Sequence, residues 1–410
     1  MTGSPAPDVL VADRTDTSAG ALARALEPVL AGGDGPLLMP AGPHEDAGAL
    51  AGDAASRIVR RPPGARLVVR TSGSTTGRGR LVGLSGAQLR ASAEATHARL
   101  GGAGSWVLAL PPHHIAGLQV VARSLVAGRP PLVVEGRATP RLVGEAVRRA
   151  ARRDPDGRAY VSLVPTQLSD ALADAEATRA LAEATAVLVG GAATPAPLVA
   201  AARAAGLALR LTYGMSETCG GCVYDGRPLA GVHVAFSAPD DRDRPGDGEA
   251  GRVWLGGPMV MSDYLDGAPG VRLIDGERWL ATNDLGATTD GVLSIRGRTD
   301  DVIVSGGLKI SAPDVAEAVL GTGLVSDCVV VGLEDARWGQ VVAAAVAAPA
   351  GLDARRLREA TGRAVGRERA PRVVLRLDEL PALASGKPDR AAVRALLARA
   401  RADGEAWEHG

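Results

Sequence analysis

Between Leu67 and Leu211 the chain repeats one pattern: a short apolar run, a break rich in Gly or Pro, then a stretch with helical spacing. The runs at 67–69, 106–110, 160–164, 186–189 and 207–211 are too short and too continuously apolar for amphipathic helices, so they predict buried strands. Ser85 and Gln88 form a capping box ahead of Leu89, Ala93 and Leu100. Gly128 and Gly206 stand where helices begun near Ile115 and Pro195 should stop. Alternation of this kind predicts an α/β fold with largely parallel sheets flanked by helices.

From Gly226 to Arg298 the helical signal fades, and short strands near 231–236, 252–255 and 292–295 alternate with turns such as Pro245-Gly246-Asp247-Gly248. This predicts a β-rich subdomain closing a large N-terminal domain, residues 1–298. Beyond it, strand and helix patterns alternate within about 110 residues, with Ser311 and Asp314 capping a helix over 312–320. A small α+β domain is therefore expected over 299–410. The polar tail from Arg401 is expected to fray.

Composition narrows the class. The 46 basic and 46 acidic residues cancel, and no basic run occurs, which argues against a partner bound by phosphate neutralisation along nucleic acid. The longest apolar stretch, 341–348, is far short of the roughly 18 residues that a span needs, and no basic-then-apolar leader opens the chain. Three cysteines cannot all pair, which fits a reducing cytoplasm. Only two lysines, Lys309 and Lys387, stand among 44 arginines, a bias that makes the survivors worth following.

Two segments carry chemistry. The first strand runs into Thr71-Ser72-Gly73-Ser74-Thr75-Thr76-Gly77-Arg78-Gly79-Arg80, where glycines let backbone N–H groups converge and hydroxyls add donors. Such a loop can cradle a polyphosphate, or it is simply a Ser/Thr/Gly-rich turn. It is not a Walker A loop, since no Gly-Lys-Ser/Thr follows. The second, Tyr213-Gly214-Met215-Ser216-Glu217-Thr218, follows a strand at the carboxyl edge where open α/β sheets place ligands. An aromatic, a hydroxyl and a carboxylate there suit a nucleotide with Mg²⁺. Taken alone, a buried Tyr and a solvated Glu explain it better.

These two segments, with Asp284 in TNDLG, Arg298 and Asp300 in GRTDD, and Lys387 in SGKPDR, resemble in order and spacing the adenylate-forming superfamily of acyl-CoA synthetases and adenylation domains, over about 68–390. The resemblance implies that fold, with a mobile C-terminal domain, and an acid–thiol ligase using ATP, Mg²⁺, coenzyme A and a carboxylic acid. It implies that Thr71, Ser72, Gly73, Ser74, Thr75, Thr76 and Gly77 hold the β- and γ-phosphates. Gly190, Gly191, Ala192 and Tyr213 would frame the adenine. Ser216 would touch the α-phosphate, Glu217 would bind Mg²⁺, and Asp284 and Arg298 would hold the ribose. Lys387 would be catalytic in adenylation, Asp300 the hinge, and Gly307 and Lys309 would serve the second step near coenzyme A.

The segments LPPHHIAGLQ, SLVPTQL and YGMSETCGGCVYDG resemble one branch of that superfamily, whose aromatic acid carries two carboxylates. That implies an acyl pocket with His113, His114 and Gly214, and a basic partner for the second carboxylate. Arg227 is a candidate by charge and proximity, or else a surface arginine. Adjacent histidines diverge and no third ligand is near, so zinc is not expected; nor does one C-x-x-C, Cys219 to Cys222, make a structural zinc site. The loop is one residue longer than the usual pattern, Arg78-Gly79-Arg80 replaces x-Pro-Lys, and TNDLG replaces TGDLG. Another acyl-CoA ligase, a free-standing adenylation domain and a non-catalytic adenylate-binding protein remain as alternatives. Oligomeric state is not legible, and a homodimer stays one option.

Overall fold

A computed structural model describes residues 6–71, 79–382 and 388–409. Four sheets organise these residues. The one that positions most of the site has seven strands in the order Arg227–Pro228, Gly220–Tyr224, Leu209–Met215, Ala186–Val189, Ala159–Leu163, Ser105–Leu108, Leu132–Val133. Its last five strands run parallel, and the first two fold back antiparallel at one edge. The parallel strands Ser105–Leu108, Ala159–Leu163 and Ala186–Val189 are buried along their whole length, which is why they read as continuous apolar runs.

The helices between them end as the sequence predicts. Gln88 N donates to Ser85 Oγ at 3.2 Å and Ser85 N to Gln88 Oε1 at 2.7 Å, opening the helix Gly86–Leu100. Gly128 and Gly206, the predicted stops, follow their helices with φ of 68° and 80°. The expected α/β architecture is therefore the architecture found.

The strand at 67–69 differs from expectation in its company. As Leu67–Arg70 it lies in a separate sheet, ordered Asp8–Val11, Leu38–Ala41, Leu67–Arg70, Leu81–Leu84, Asp263–Tyr264. It pairs antiparallel with Leu81–Leu84, so residues 71–80 connect the two arms of a hairpin. A four-residue apolar run says nothing about which sheet it joins.

A third, antiparallel sheet holds His233–Ser237, Ala250–Gly256, Glu277–Thr289, Val271–Ile274 and Val292–Arg298. The fourth holds Leu308–Ser311, Val302–Ser305, Gly339–Ala347, Val373–Leu377 and Trp407–Glu408, with Asp327–Asp335 also on Gly339–Ala347. The tail is not frayed. The helix Arg390–Ala402 is followed by Trp407–Glu408, which pairs with Val373–Val374. No helix among the described residues is long and apolar enough to cross a membrane.

Candidate active site

The carboxyl ends of the parallel strands collect the predicted residues. Ser105–Leu108 leads to His113 and His114, Ala186–Val189 leads to Gly190-Gly191-Ala192, and Leu209–Met215 contains Tyr213 and Gly214. Gly190 must be small, because a Cβ there would stand 2.2 Å from Thr212 Oγ1. Gly214 is held by packing as well, since its Cβ would meet the Gly220 carbonyl at 2.1 Å where the two hairpin strands pass.

Tyr213, Asp284 and Arg298 form one cluster. The Tyr213 hydroxyl donates to Asp284 Oδ2 at 2.6 Å, and Arg298 Nη1 reaches Asp284 Oδ1 at 3.4 Å. Asp284 and Arg298 are opposite one another on paired strands, a register set by the turn Asp290-Gly291, both with positive φ. Burial, then the Asp284 charge, pushes the Tyr213 hydroxyl well above its ordinary range, so it stays a donor. This bond links the parallel sheet to the antiparallel one beside the predicted adenine and ribose positions.

Thr71 and Arg80 close the base of the loop. Thr71 N donates to the Arg80 carbonyl at 3.0 Å, and Arg80 N donates to Thr71 Oγ1 at 2.8 Å. The Arg80 guanidinium lies 3.4 Å from the centre of the Tyr264 ring and donates to the carbonyls of Asp266 and Ala268. The Tyr264 hydroxyl donates to Glu217 Oε1 at 2.8 Å. Glu217 sits in the 3₁₀ turn Ser216–Thr218, and burial raises its carboxyl despite the hydrogen bond from Tyr264. Sequence reading missed Tyr264, and it placed Arg80 in the phosphate loop without this partner. Only the antiparallel pairing of Asp263–Tyr264 with Leu81–Leu84 brings them to Glu217.

A second omission lies beneath the helix Ile115–Val126. Arg123 is 4% exposed, yet among the described residues no carboxylate pairs with it. Its Nη2 donates to the Tyr224 hydroxyl at 3.3 Å, its guanidinium faces the Trp106 ring at 4.9 Å, and its Nε has no partner. One turn earlier Gln119 is 1% exposed, packs against Gly220, and has no partner for either amide atom. A buried guanidinium with neutral neighbours is costly unless an anion arrives to pair with it. Gln119 and Arg123 lie four residues apart on the buried side of this helix, and Gly220 lies beside Gln119 and Ile115.

His97 completes the neutral surround. It accepts from Trp106 Nε1 at 3.1 Å, and burial, reinforced by the Arg123 charge, lowers its pKa to about 4. The folded pKa is therefore below the unfolded value, so the stabilisation is complete above about pH 6.5 and is lost as pH falls toward 4. Urea unfolding should show about 3 kcal/mol of this loss between pH 7 and 4. His97→Gln should remove that component of the pH dependence; an unchanged profile would contradict a neutral His97.

His113 Nδ1 lies 3.3 Å from the Ala12 carbonyl, and burial lowers its pKa. Its ring is 4.3 Å from that of His114, the N-cap residue of Ile115–Val126. Arg227 is exposed on the edge strand, two strands out from Tyr213. Cys219 and Cys222 are free and buried, with burial raising both thiols, that of Cys222 to about 12. Gly307 and Lys309 lie at an exposed hairpin tip in the fourth sheet, and Asp300 is in the 3₁₀ turn Thr299–Asp301. Ser72, Gly73, Ser74, Thr75, Thr76, Gly77 and Lys387 lie outside the described residues. Among the described residues no group of three or more His, Cys, Asp or Glu could cage a metal.

Comparison with known proteins supplies the family. The model of the AMP-binding enzyme family matches residues 15–265, and that of the AMP-binding enzyme C-terminal domain matches 314–387. A protein of Mycobacterium tuberculosis named "Probable 2-succinylbenzoate--CoA ligase" is 44% identical over 336 residues, covering 80% of this chain and 83% of that one. The 2-succinylbenzoate--CoA ligase of Lactococcus lactis is 29% identical, covering 78% and 69%. Among solved structures, the o-succinylbenzoate CoA synthetase of Bacillus subtilis in complex with its acyl-adenylate intermediate has a TM-score of 0.74 at 22% identity, covering 94% and 87%. ATP-bound MatB of Rhodopseudomonas palustris has 0.76 at 21%, covering 95% and 89%, and both share the fold. The cluster at the strand ends thus lies in a chain that belongs to the AMP-binding enzyme family.

Proposed function

We propose that this chain ligates 2-succinylbenzoate to coenzyme A in two steps, the reaction named for its relatives and a step of menaquinone biosynthesis. In the first, a substrate carboxylate oxygen attacks the α-phosphorus of ATP, the bond to the bridging oxygen breaks, and pyrophosphate leaves. In the second, the coenzyme A thiolate attacks the acyl carbon and AMP leaves. The cytoplasm is its proposed compartment, where ATP and coenzyme A are at hand.

The observation that carries the substrate assignment is Arg123. Succinylbenzoate keeps one carboxylate after the other is activated, and that anion must be held somewhere. A buried guanidinium whose Nε has no partner and a buried amide with none, one turn apart on the helix that follows the histidines, would supply a charged fork and a hydrogen-bond donor for it. Such a site binds poorly to acids that bring no second anion.

The remaining residues suit the first step. Tyr213, Asp284 and Arg298 would seat the nucleoside, Ser216 the α-phosphate, and the loop begun at Thr71 the outer phosphates. Glu217 fits Mg²⁺, which takes one or two carboxylates and completes its shell with substrate phosphates and water. Magnesium bound there supplies neutralising charge to the phosphates. Lys387 would stabilise the negative charge growing between the attacking carboxylate and the α-phosphate. Asp300 would be the hinge, with Gly307 and Lys309 serving thioester formation. Acid-dependent exchange of pyrophosphate into ATP tests the reading: 2-succinylbenzoate should support it far better than benzoate or free amino acids, and the reverse order would refute it.

A further inference from the structure

The hairpin of Val302–Ser305 and Leu308–Ser311 turns at Gly306-Gly307, both with positive φ, and presents Lys309 to solvent. One side of this turn is braced by Trp338. Gly306 N donates to the Trp338 carbonyl at 2.9 Å, and the indole ring lies against the glycine so closely that a Cβ would stand 2.8 Å from Cε3. Trp338 is itself held in a turn capped by Asp335, whose Oδ1 accepts from Arg337 N at 2.9 Å and from Trp338 N at 3.0 Å.

Asp335 is gripped from outside its own hairpin. Arg401, near the end of Arg390–Ala402, places Nη2 at 2.6 Å from Asp335 Oδ2 and at 2.6 Å from Glu408 Oε1. Arg401 and Asp335 are 23% and 12% exposed at their side chains, so the pair is shielded in a way that surface ion pairs are not. Nη1 of Arg401 also donates to the Glu334 carbonyl at 3.2 Å. An unbroken line of contacts therefore joins Glu408, Arg401, Asp335, Trp338 and Gly306.

We propose that Arg401 is a positioning residue for thioester formation. It clamps Asp335 and Glu408, which fixes the turn carrying Trp338 and thereby the Gly306-Gly307 turn that presents Lys309. This rests on the assignment of that hairpin to the second step under the proposed function. Among the described residues nothing in the line of contacts touches the cluster assigned to adenylation, so its loss should separate the two half-reactions.

The test measures both half-reactions in the full chain. Pyrophosphate release from ATP and 2-succinylbenzoate without coenzyme A reports the first; thioester formed from supplied acyl-adenylate over a range of coenzyme A reports the second. Arg401→Ala should leave the first within about twofold and raise KM for coenzyme A about tenfold or more. Arg401→Lys should recover most of that loss, and Trp338→Leu should reproduce the split without disturbing the ion pair. An unchanged coenzyme A dependence in Arg401→Ala, or equal loss in both half-reactions, overturns the proposal. A wild-type chain unable to convert supplied acyl-adenylate would instead overturn the two-step reading on which it rests.

Discussion

Replacing Arg123 by methionine should raise KM for 2-succinylbenzoate at least about thirtyfold, the equivalent of roughly 2 kcal/mol or more for a buried charge pair. KM for ATP should stay within about twofold, because among the described residues Arg123 contacts none of the groups assigned to the nucleotide. Methionine is the informative replacement, since it keeps most of the buried volume and removes only the charge. The variant should fold at least as well as the parent, because the unpaired buried cation is a cost in the absence of substrate. A keto acid without the ring carboxylate, 4-oxo-4-phenylbutanoate, should be turned over poorly by both proteins and barely discriminate between them. Arg227→Ala is the control on the exposed edge strand, and its KM should move little. An unaltered KM for 2-succinylbenzoate in Arg123→Met would remove Arg123 from the acyl pocket.

Lys387→Ala should lower the rate of adenylation about 10²–10³-fold, the scale on which a transition-state charge donor acts. Thioester formation from supplied acyl-adenylate should largely survive, because the proposed division of labour gives that step to the hairpin of Gly307 and Lys309 rather than to Lys387. The composition sharpens the expectation. A chain that uses arginine 44 times retains lysine at two positions, and Lys387 is one of them. Two developing anions call for a compact ammonium that approaches both as a point charge, whereas a planar guanidinium spreads its charge over a wider fork. Arg in place of Lys387 should therefore rescue poorly. Equal loss of both half-reactions in Lys387→Ala would contradict the division of labour.

What the sequence made legible was local. Ser85 and Gln88 mark a helix start from two residues, and the parallel strands are apolar on both faces because helices cover both. The cluster of Asp284 with Arg298 follows from an Asp-Gly turn at 290–291 that fixes which residues face each other, and the register shift beside Leu285 adjusts that count. Sheet membership was not legible for the strand at 67–70, because its four residues suit any buried strand, and the hairpin partner that fixes it lies across a loop. Tyr264 reaches Glu217 through a two-residue strand, too short to carry a pattern.

Arg123 and Gln119 were hidden for a different reason. A basic residue in the last turn of a helix reads as a favourable dipole partner exposed to water. The signal that could have found them is their spacing: they are four residues apart in a helix otherwise nearly apolar, which places both on one face. The tail at 401–409 read as frayed because its residues are polar, yet its charges are spent on Asp335 and its backbone on Val373–Val374.

The central claim, that this chain activates 2-succinylbenzoate as an acyl-adenylate, is tested most directly by exchange of labelled pyrophosphate into ATP without coenzyme A. The predicted result is exchange that saturates with 2-succinylbenzoate, requires Mg²⁺, and exceeds that with benzoate by at least about tenfold, the weight of one well-placed polar contact. Exchange driven better by benzoate or an amino acid, or none with 2-succinylbenzoate at any concentration, would contradict it.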